Sequence, residues 1–374
     1  MTDRMSSFSK LAIDEMRIYR FDIPLRDVFT IATMSLSKAQ NLLVELKTNE
    51  GITGWGDASP FHSIAGETQG INIAAARELK QIVVGKNPLA IHALVQQMDA
   101  YLPYNSTLKS AVDMALYDIG AQVANLPLYA FLGGEKREIE TDLTMGIGNP
   151  DEAGDKALAI RSMGFRIIKV KLGLSVEEDR KRLANIRKAV GPEPILRIDA
   201  NQGWDRVAAM KNLTAFEEFD IEFCEQPCRA HDLQGMRYVS QHTPIPVMAD
   251  ESLFSAQDAL EIVQRDAAPY FNVKLSKSGG IHNAQKIAHV AGAGYRPCMM
   301  GCMSESRLGI TAAAHFALAN EIVRFFDLDS FIEHAEDPIL GGVEIRQGIL
   351  TVPDDPGIGA RPDPAWKGKL EEVK

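Results

Sequence analysis

Read for its alternation of apolar and polar positions, the chain changes grammar once. From about residue 11 to 60 the pattern has a period of two: "IDEMRIYRFDIPL", then "NLLVELKTNEGITGWGDAS", with Asn49-Glu50-Gly51 as a hairpin turn between strands. Helical spacing follows. "ETQGINIAAARELKQIVVG", "LAIHALVQQMDAYL" and "LKSAVDMALYDIGAQVANLPLYAFLGG" place apolar residues three and four apart, and the last stops at a double glycine. Residues 1–135 therefore read as an α+β domain, strands first and helices after.

Beyond Gly134 short apolar strands alternate with amphipathic helices. The strands are "IETDLTMGI", "RIIKVKL", "PILRIDA", "IEFCEQP", "PVMADES", "YFNVKLS", "RPCMMG" and "IVRFFDLD", separated by helices such as "VEEDRKRLANIRKAVG" and "GIHNAQKIAHVAGAG". Eight strands in βα alternation over residues 136–340 predict a closed (β/α) barrel, because a parallel sheet must be covered by its crossover helices. A doubly wound open sheet is the alternative, and no strand here runs into a G-x-G-x-x-G turn. Residues 341–374 read as loops and a strand packing back on the first domain.

Composition narrows the partners. With 374 residues and a net charge of −10, the chain lacks the basic footprint a nucleic acid or anionic membrane requires. The N-terminal stretch "MTDRMSSFSKLAIDEMRIYR" has no apolar run of signal-peptide length, and no segment reaches a membrane span, so a cytoplasmic location is expected. Cys224, Cys228, Cys298 and Cys302 form two C-x-x-x-C pairs. No histidine pattern completes a zinc motif around them, so they are expected to serve as small hydrophobes at strand ends.

The chemistry sits at the ends of the strands. Lys171, Asp199, Glu225, Asp250 and Lys274 follow one another at 28, 26, 25 and 24 residues, the length of one βα unit, so they should ring one barrel mouth, where barrels place their active sites. Three carboxylates so gathered repel one another unless a cation neutralises them, and an all-oxygen set with positions left for water and substrate suits Mg²⁺, with Mn²⁺ as a substitute. Lys169 and Lys171 share a strand face about 6.5 Å apart. At an effective dielectric near 20 their repulsion is roughly 2.5 kcal/mol, which would tune Lys171 toward the range of a general base, with Lys169 as the tuner. Lys274 lies on the sixth strand, across the ring from Lys171. Two bases over a metal suggest removal of a proton α to a carbonyl on one face and its return on the other. Lys277, in "KLSKSGG", competes for the second role but ranks below Lys274 because it lies past the strand end.

The set K-x-K, D, E, D, K, together with "WGDASP", "LRIDANQGW", "MADES", "NVKLSKSGG" and "GCMSESRLGITAAAHFALA", resembles the muconate-lactonizing subgroup of the enolase superfamily, and within it the dipeptide epimerases. The resemblance implies a TIM-like (β/α)7β barrel with an N-terminal α+β capping domain. It implies Mg²⁺ at Asp199, Glu225 and Asp250, Lys171 and Lys274 as catalytic lysines, a dipeptide substrate, and a homo-oligomer. Cycloisomerases, o-succinylbenzoate synthases and N-acylamino-acid racemases share the scaffold. "FFDLDSF" favours dipeptides, because Asp327 and Asp329 alternate onto one face and offer two carboxylates to a substrate ammonium. The resemblance places Glu305 near the metal as a hydrogen-bonding group, with Met303 and Ser276 beside the substrate. Relatives acting on Ala-Glu carry an arginine in the loop that here reads "FTIATMSLSKAQ", where Met34 pairs with it, so a neutral or apolar second residue is expected. The loops "DVFTIATMSLSK" and "SPFHSIAGETQG" should close over the site.

Overall fold

The computed structural model describes residues 10–368 and 370–373; the first nine residues, part of the stretch read as lacking a signal peptide, lie outside them. The N-terminal part is a three-stranded antiparallel sheet, β1 (Ile13–Ile31), β2 (Met34–Thr48) and β3 (Thr53–Ala58), followed by α1 (Gln69–Val83), α2 (Ile91–Tyr101) and α3 (Ser106–Ala124). The expected hairpin turn is present, with Gly51 at φ +82°, where a side chain would be strained. Gly54 and Gly56 have a different reason: a Cβ on either would collide with the backbone of α3 at Ala115 and Ala111. These glycines let a helix lie directly on the sheet, and Leu42, Leu43, Val44 and Leu46 are buried as a result. The helix expected to run through to the double glycine breaks at Asn125, which adopts a left-handed conformation before Pro127.

Eight parallel strands follow in order: β5 (Leu143–Met145), β6 (Ile167–Lys171), β7 (Ile195–Asp199), β8 (Ile221–Glu225), β9 (Val247–Ala249), β10 (Tyr270–Val273), β11 (Cys298–Met300) and β12 (Val323–Phe326). Seven helices connect them: α4 (Ala153–Ser162), α5 (Val176–Val190), α6 (Arg206–Phe216), α7 (Leu233–His242), α8 (Ala256–Arg265), α9 (Ile281–Ala293) and α10 (Arg307–Ala319). The Asp142 N–H donates to the Phe326 carbonyl and joins the first strand to the last. The chain therefore has the TIM-like (β/α)7β barrel with a capping domain, not the open sheet. The stretch expected as one strand over 139–147 is split, because Thr141 and Asp142 turn their groups to the last strand: β4 (Ile139–Glu140) pairs instead with β15 (Ile349–Thr351) of a hairpin whose other arm is β14 (Glu344–Arg346). β13 (Ile339–Gly341) and β16 (Ala360–Pro362) pair nearby, and Val373 N–H reaches the Ile18 carbonyl of β1.

Strand periodicity of two stacks the barrel interior in layers. Two residues below the mouth lie Arg197, Phe223 and Phe325, the guanidinium packed over both rings and paired with Asp142 at 2.9 Å and Glu222 at 2.7 Å. Phe223, Met248 and Met299 pack together in the same region. One step up the same strands come Asp199, Glu225, Asp250 and Asp327. No helix among the described residues is long and apolar enough to cross a membrane.

Candidate active site

Lys171, Asp199 and Glu225 are the last residues of three neighbouring strands and stand in direct register. Asp250 and Lys274 follow the last residues of β9 and β10. All are buried, and they are tightly paired. Lys171 Nζ lies 2.6 Å from Asp199 Oδ2, and Lys274 Nζ lies 2.8 Å from Asp250 Oδ2. Asn272, two residues before Lys274, donates to Glu225 Oε1 at 2.7 Å and fixes that carboxylate.

Lys169, expected as the tuner of Lys171, lies among acids. Its Nζ sits 2.6 Å from Asp327, 2.7 Å from Glu225 and 3.4 Å from Asp199. Burial works against its charge, yet Asp327, Glu225 and Asp199 outweigh burial and hold it well above the usual lysine range. Lys169 therefore neutralises acids at the base of the site. Lys277, ranked below Lys274, also joins the cluster. A helical turn, Leu275–Ser278, carries it back beneath the strand end, where its fully buried Nζ donates to Asp250 Oδ1 and, at 2.6 Å, to the Asp250 carbonyl. Burial lowers its pKa.

Negative charge remains in excess. Seven buried carboxyl groups, Asp199, Glu225, Asp250, Glu251, Glu305, Asp327 and Asp329, face four buried lysines, Lys169, Lys171, Lys274 and Lys277. Burial and the nearby Asp199 raise Glu225, and burial and Asp250 raise Glu251. Glu251 Oε2 and Asn201 Oδ1 are buried beside the same carboxylates with no hydrogen-bond partner among the described residues. A crowded all-oxygen set whose carboxyls are pushed up by burial and by one another fits a hard divalent cation. With lysines drawn onto them, Asp199, Glu225 and Asp250 do not form the tightest donor cluster. Among the described residues, the donors of Cys302, Asp327 and Asp329 are the ones that lie within 4.8 Å of one another.

One cavity brings Lys171, Lys274, Asp327, Asp329, Met303 and Ser304 together, with Thr144 and Cys302 at its side. Asp329 Oδ2 accepts the Thr144 N–H at 2.6 Å, and burial with the neighbouring Asp327 raises its pKa. Asp327 stays ionised: burial would raise it, but Lys169 holds it low. Ser276 and Glu305 lie behind the cavity wall, the hydroxyl donating to Glu305 Oε1 at 2.6 Å while Oε2 accepts the Met303 N–H. Met34 falls outside the cavity, in an adjoining groove. In its place the β1–β2 hairpin contributes Leu25, Phe29, Ile31 and Leu36, and the following loop Phe61 and Ile64. A register shift between Pro24 and Phe29 decides which hairpin residues face inward, and alternation alone does not reveal it. All four cysteines are free thiols. Cys302 departs from the small-hydrophobe role, since its thiol lies 3.7 Å from Asp329 Oδ1 in the cavity.

This fold and this ring of groups define a class, and sequence comparison agrees. Residues 14–133 match the family described as mandelate racemase / muconate lactonizing enzyme, N-terminal domain, and residues 152–366 match the enolase C-terminal domain-like family. The chain belongs to the enolase superfamily, in its mandelate racemase and muconate-lactonizing branch. It is 40% identical over 365 residues, 97% of this chain and 99% of the relative, to the D-Ala-D/L-Ala epimerase of Cytophaga hutchinsonii. It is 38% identical over 93% of its length, and 99% of the relative's, to the hydrophobic dipeptide epimerase of Enterococcus faecalis. The crystal structure of the Cytophaga dipeptide epimerase with Mg and D-Ala-L-Val superimposes with a TM-score of 0.95, covering 96% of this chain and 99% of that one at 39% identity.

Proposed function

We propose that the chain is a Mg²⁺-dependent epimerase that inverts the α-carbon of the C-terminal residue of a dipeptide. The observation that carries this reading is the one cavity lined by both Lys171 and Lys274, from the second and sixth of eight strands, together with Asp327 and Asp329. The relatives that act on dipeptides, and the solved structures holding Mg with a dipeptide, support it.

Asp199, Glu225 and Asp250 would hold the metal. When bound, Mg²⁺ supplies positive charge against the substrate carboxylate as the α-proton leaves. Asp327 and Asp329 receive the free amino terminus, and Thr144 keeps Asp329 aimed at it. One lysine takes the α-proton on its side, the carbon becomes planar, and the opposite lysine returns a proton on the other. The wall of Leu25, Phe29, Ile31, Leu36, Phe61 and Ile64 is apolar, with Glu333 the one carboxylate beside it, and this favours substrates with apolar side chains. The acidic balance of the chain speaks against a nucleic-acid or anionic-membrane partner, and we read the protein as a cytoplasmic homo-oligomer, which sedimentation analysis and fractionation test.

The test is a pooled dipeptide library incubated in D₂O with Mg²⁺ and read by mass spectrometry. Deuterium should enter free-amine dipeptides with apolar second residues. Label confined to N-acylated amino acids would contradict the reading.

A further inference from the structure

The β11–α10 loop, which brings Met303 and Ser304 to the cavity, is held from the capping domain by three buried side chains. Asn41 Nδ2 donates to the Ser304 carbonyl at 2.8 Å, Ser59 Oγ accepts the Ser304 N–H at 3.1 Å, and Asp57 Oδ2 accepts the Ser306 N–H at 2.7 Å. Asn41 and Ser59 are each 1% exposed and Asp57 is fully buried, so water cannot replace these bonds. Ser306, the residue before α10, has no side-chain cap of its own making, and Asp57 supplies one from another domain. The three bonds straddle Glu305. Its carboxylate reaches Ser276, two residues beyond Lys274, and its carbonyl accepts the Ser330 hydroxyl at 2.9 Å, one residue after Asp329. Gly309 leaves the room Glu305 needs, because a Cβ there would lie 2.8 Å from the Glu305 Cβ.

We propose that Asn41, Asp57 and Ser59 are positioning residues that register the capping domain to the Lys274 side of the site, acting through the Ser304–Ser306 backbone, Glu305 and Ser276. The proposal rests on the two-lysine reading above. Among the described residues, no equivalent chain of bonds runs from these three to Lys171, on the β6 side of the cavity. Loosening the latch therefore disturbs one face of the proton transfer more than the other. A displacement of the order of an ångström at a reacting group lowers a rate by up to about a hundredfold.

The experiment compares Asn41→Ala and Ser59→Ala with the wild-type protein in two measurements. The first is amide hydrogen exchange at Ser304 and Ser306, which needs no substrate. The second is solvent deuterium entry into each epimer of an apolar dipeptide with Mg²⁺, the faces being assigned with Lys171→Ala and Lys274→Ala. The expected result is loss of Ser304 protection in both variants, with exchange on the Lys274 face slowed about tenfold or more and the Lys171 face near wild type. Unchanged Ser304 protection would overturn the proposal, and so would equal slowing of both faces. If the wild-type protein labels no dipeptide, the functional reading has failed; the amide measurement then decides the latch alone, since unchanged protection still refutes it.

Discussion

The β6 wall and the β10 wall of the site carry the same device built from different local structure. Each presents one lysine to the cavity and keeps a second one buried behind it. On β6 the pair is Lys169 and Lys171, two apart on a strand; on the β10 side it is Lys274 and Lys277, three apart across a strand end and a helical turn. Both spacings put two side chains on one face, the first by the pleat and the second by the helix. The rear lysines differ in their load. Lys169 pairs with three acids, Asp327, Glu225 and Asp199, whereas among the described residues Lys277 pairs with one, Asp250, and Asp250 retains Lys274 as well. The supports differ too. The loop after β6 is fastened by its own unit, where Asp179 Oδ2 accepts the Gly173 N–H at 3.0 Å. The segment after β10 is fastened from the capping domain, where Asp113 of α3 accepts the first N–H groups of α9 from Ile281 and His282. The hydrogen bond behind the β6 wall thus comes from its own unit, with Ala32 of the cap packed close to Gly173, whereas those behind the β10 wall come from the cap.

The front lysines should give the largest effect. Lys171→Ala and Lys274→Ala are each expected to lower epimerisation by about 10²–10⁴-fold in a polarimetric or NMR assay, the range for a positioned acid–base group. A variant retaining more than a tenth of the activity would remove that lysine from the reaction. The rear lysines come next. Lys169→Met leaves buried carboxylates unpaired and should destabilise the fold by about 3–5 kcal/mol in denaturant titration, with Lys277→Met losing less because Lys274 still faces Asp250. The reverse order would show that the contrast in load is misread. Metal follows. Mg²⁺ at a hundredfold excess over its dissociation constant should stabilise the wild-type protein by about 2.7 kcal/mol, and chelation should remove that gain. Asp250→Asn should bind the ion more weakly and shift less in the same thermal titration.

The smallest effect concerns pH and separates the two supports. Burial raises the Asp113 carboxyl to about 8 and the Asp179 carboxyl to about 6. Below about pH 4 each is protonated whether folded or unfolded, and there is no penalty. As pH rises the unfolded group ionises while the folded one keeps its proton, so stability falls until the folded pKa is passed. The Tm difference between wild type and Asp179→Asn should thus level off near pH 6, whereas that for Asp113→Asn should keep growing to about pH 8. Identical profiles would erase the distinction between a local and a cap-borne support.

How far the site can be read from sequence follows the same division. The strand-end groups Lys171, Asp199, Glu225, Asp250 and Lys274 were legible because their separations equal a βα unit, and the barrel repeats that unit without interruption across β6 to β10. The capping domain was legible as strands followed by helices for the same reason of period. Three features were not. The turn at Leu275–Ser278 is a single helical turn with no periodicity to detect, so the place of Lys277 beneath Asp250 could not be seen. The identity of the apolar wall depends on an irregular pairing between Pro24 and Phe29, which puts Leu36 and Ile31 in the cavity and leaves Met34 beside it. The split of the first barrel strand at Thr141 and Asp142 is decided by bonds to the end of the last strand, as when Leu328 N–H reaches Thr141 Oγ1 across a separation of 187. Local patterns carry no trace of such bonds.

The central claim is that Lys171 and Lys274 serve opposite faces of one carbon. The direct measurement starts Lys171→Ala and Lys274→Ala separately from each pure epimer of an apolar dipeptide in D₂O and follows α-deuterium by NMR. Complementary behaviour is expected: each variant exchanges the α-proton of one epimer without inverting it, and the two variants choose different epimers. Exchange of the same epimer by both variants would contradict it.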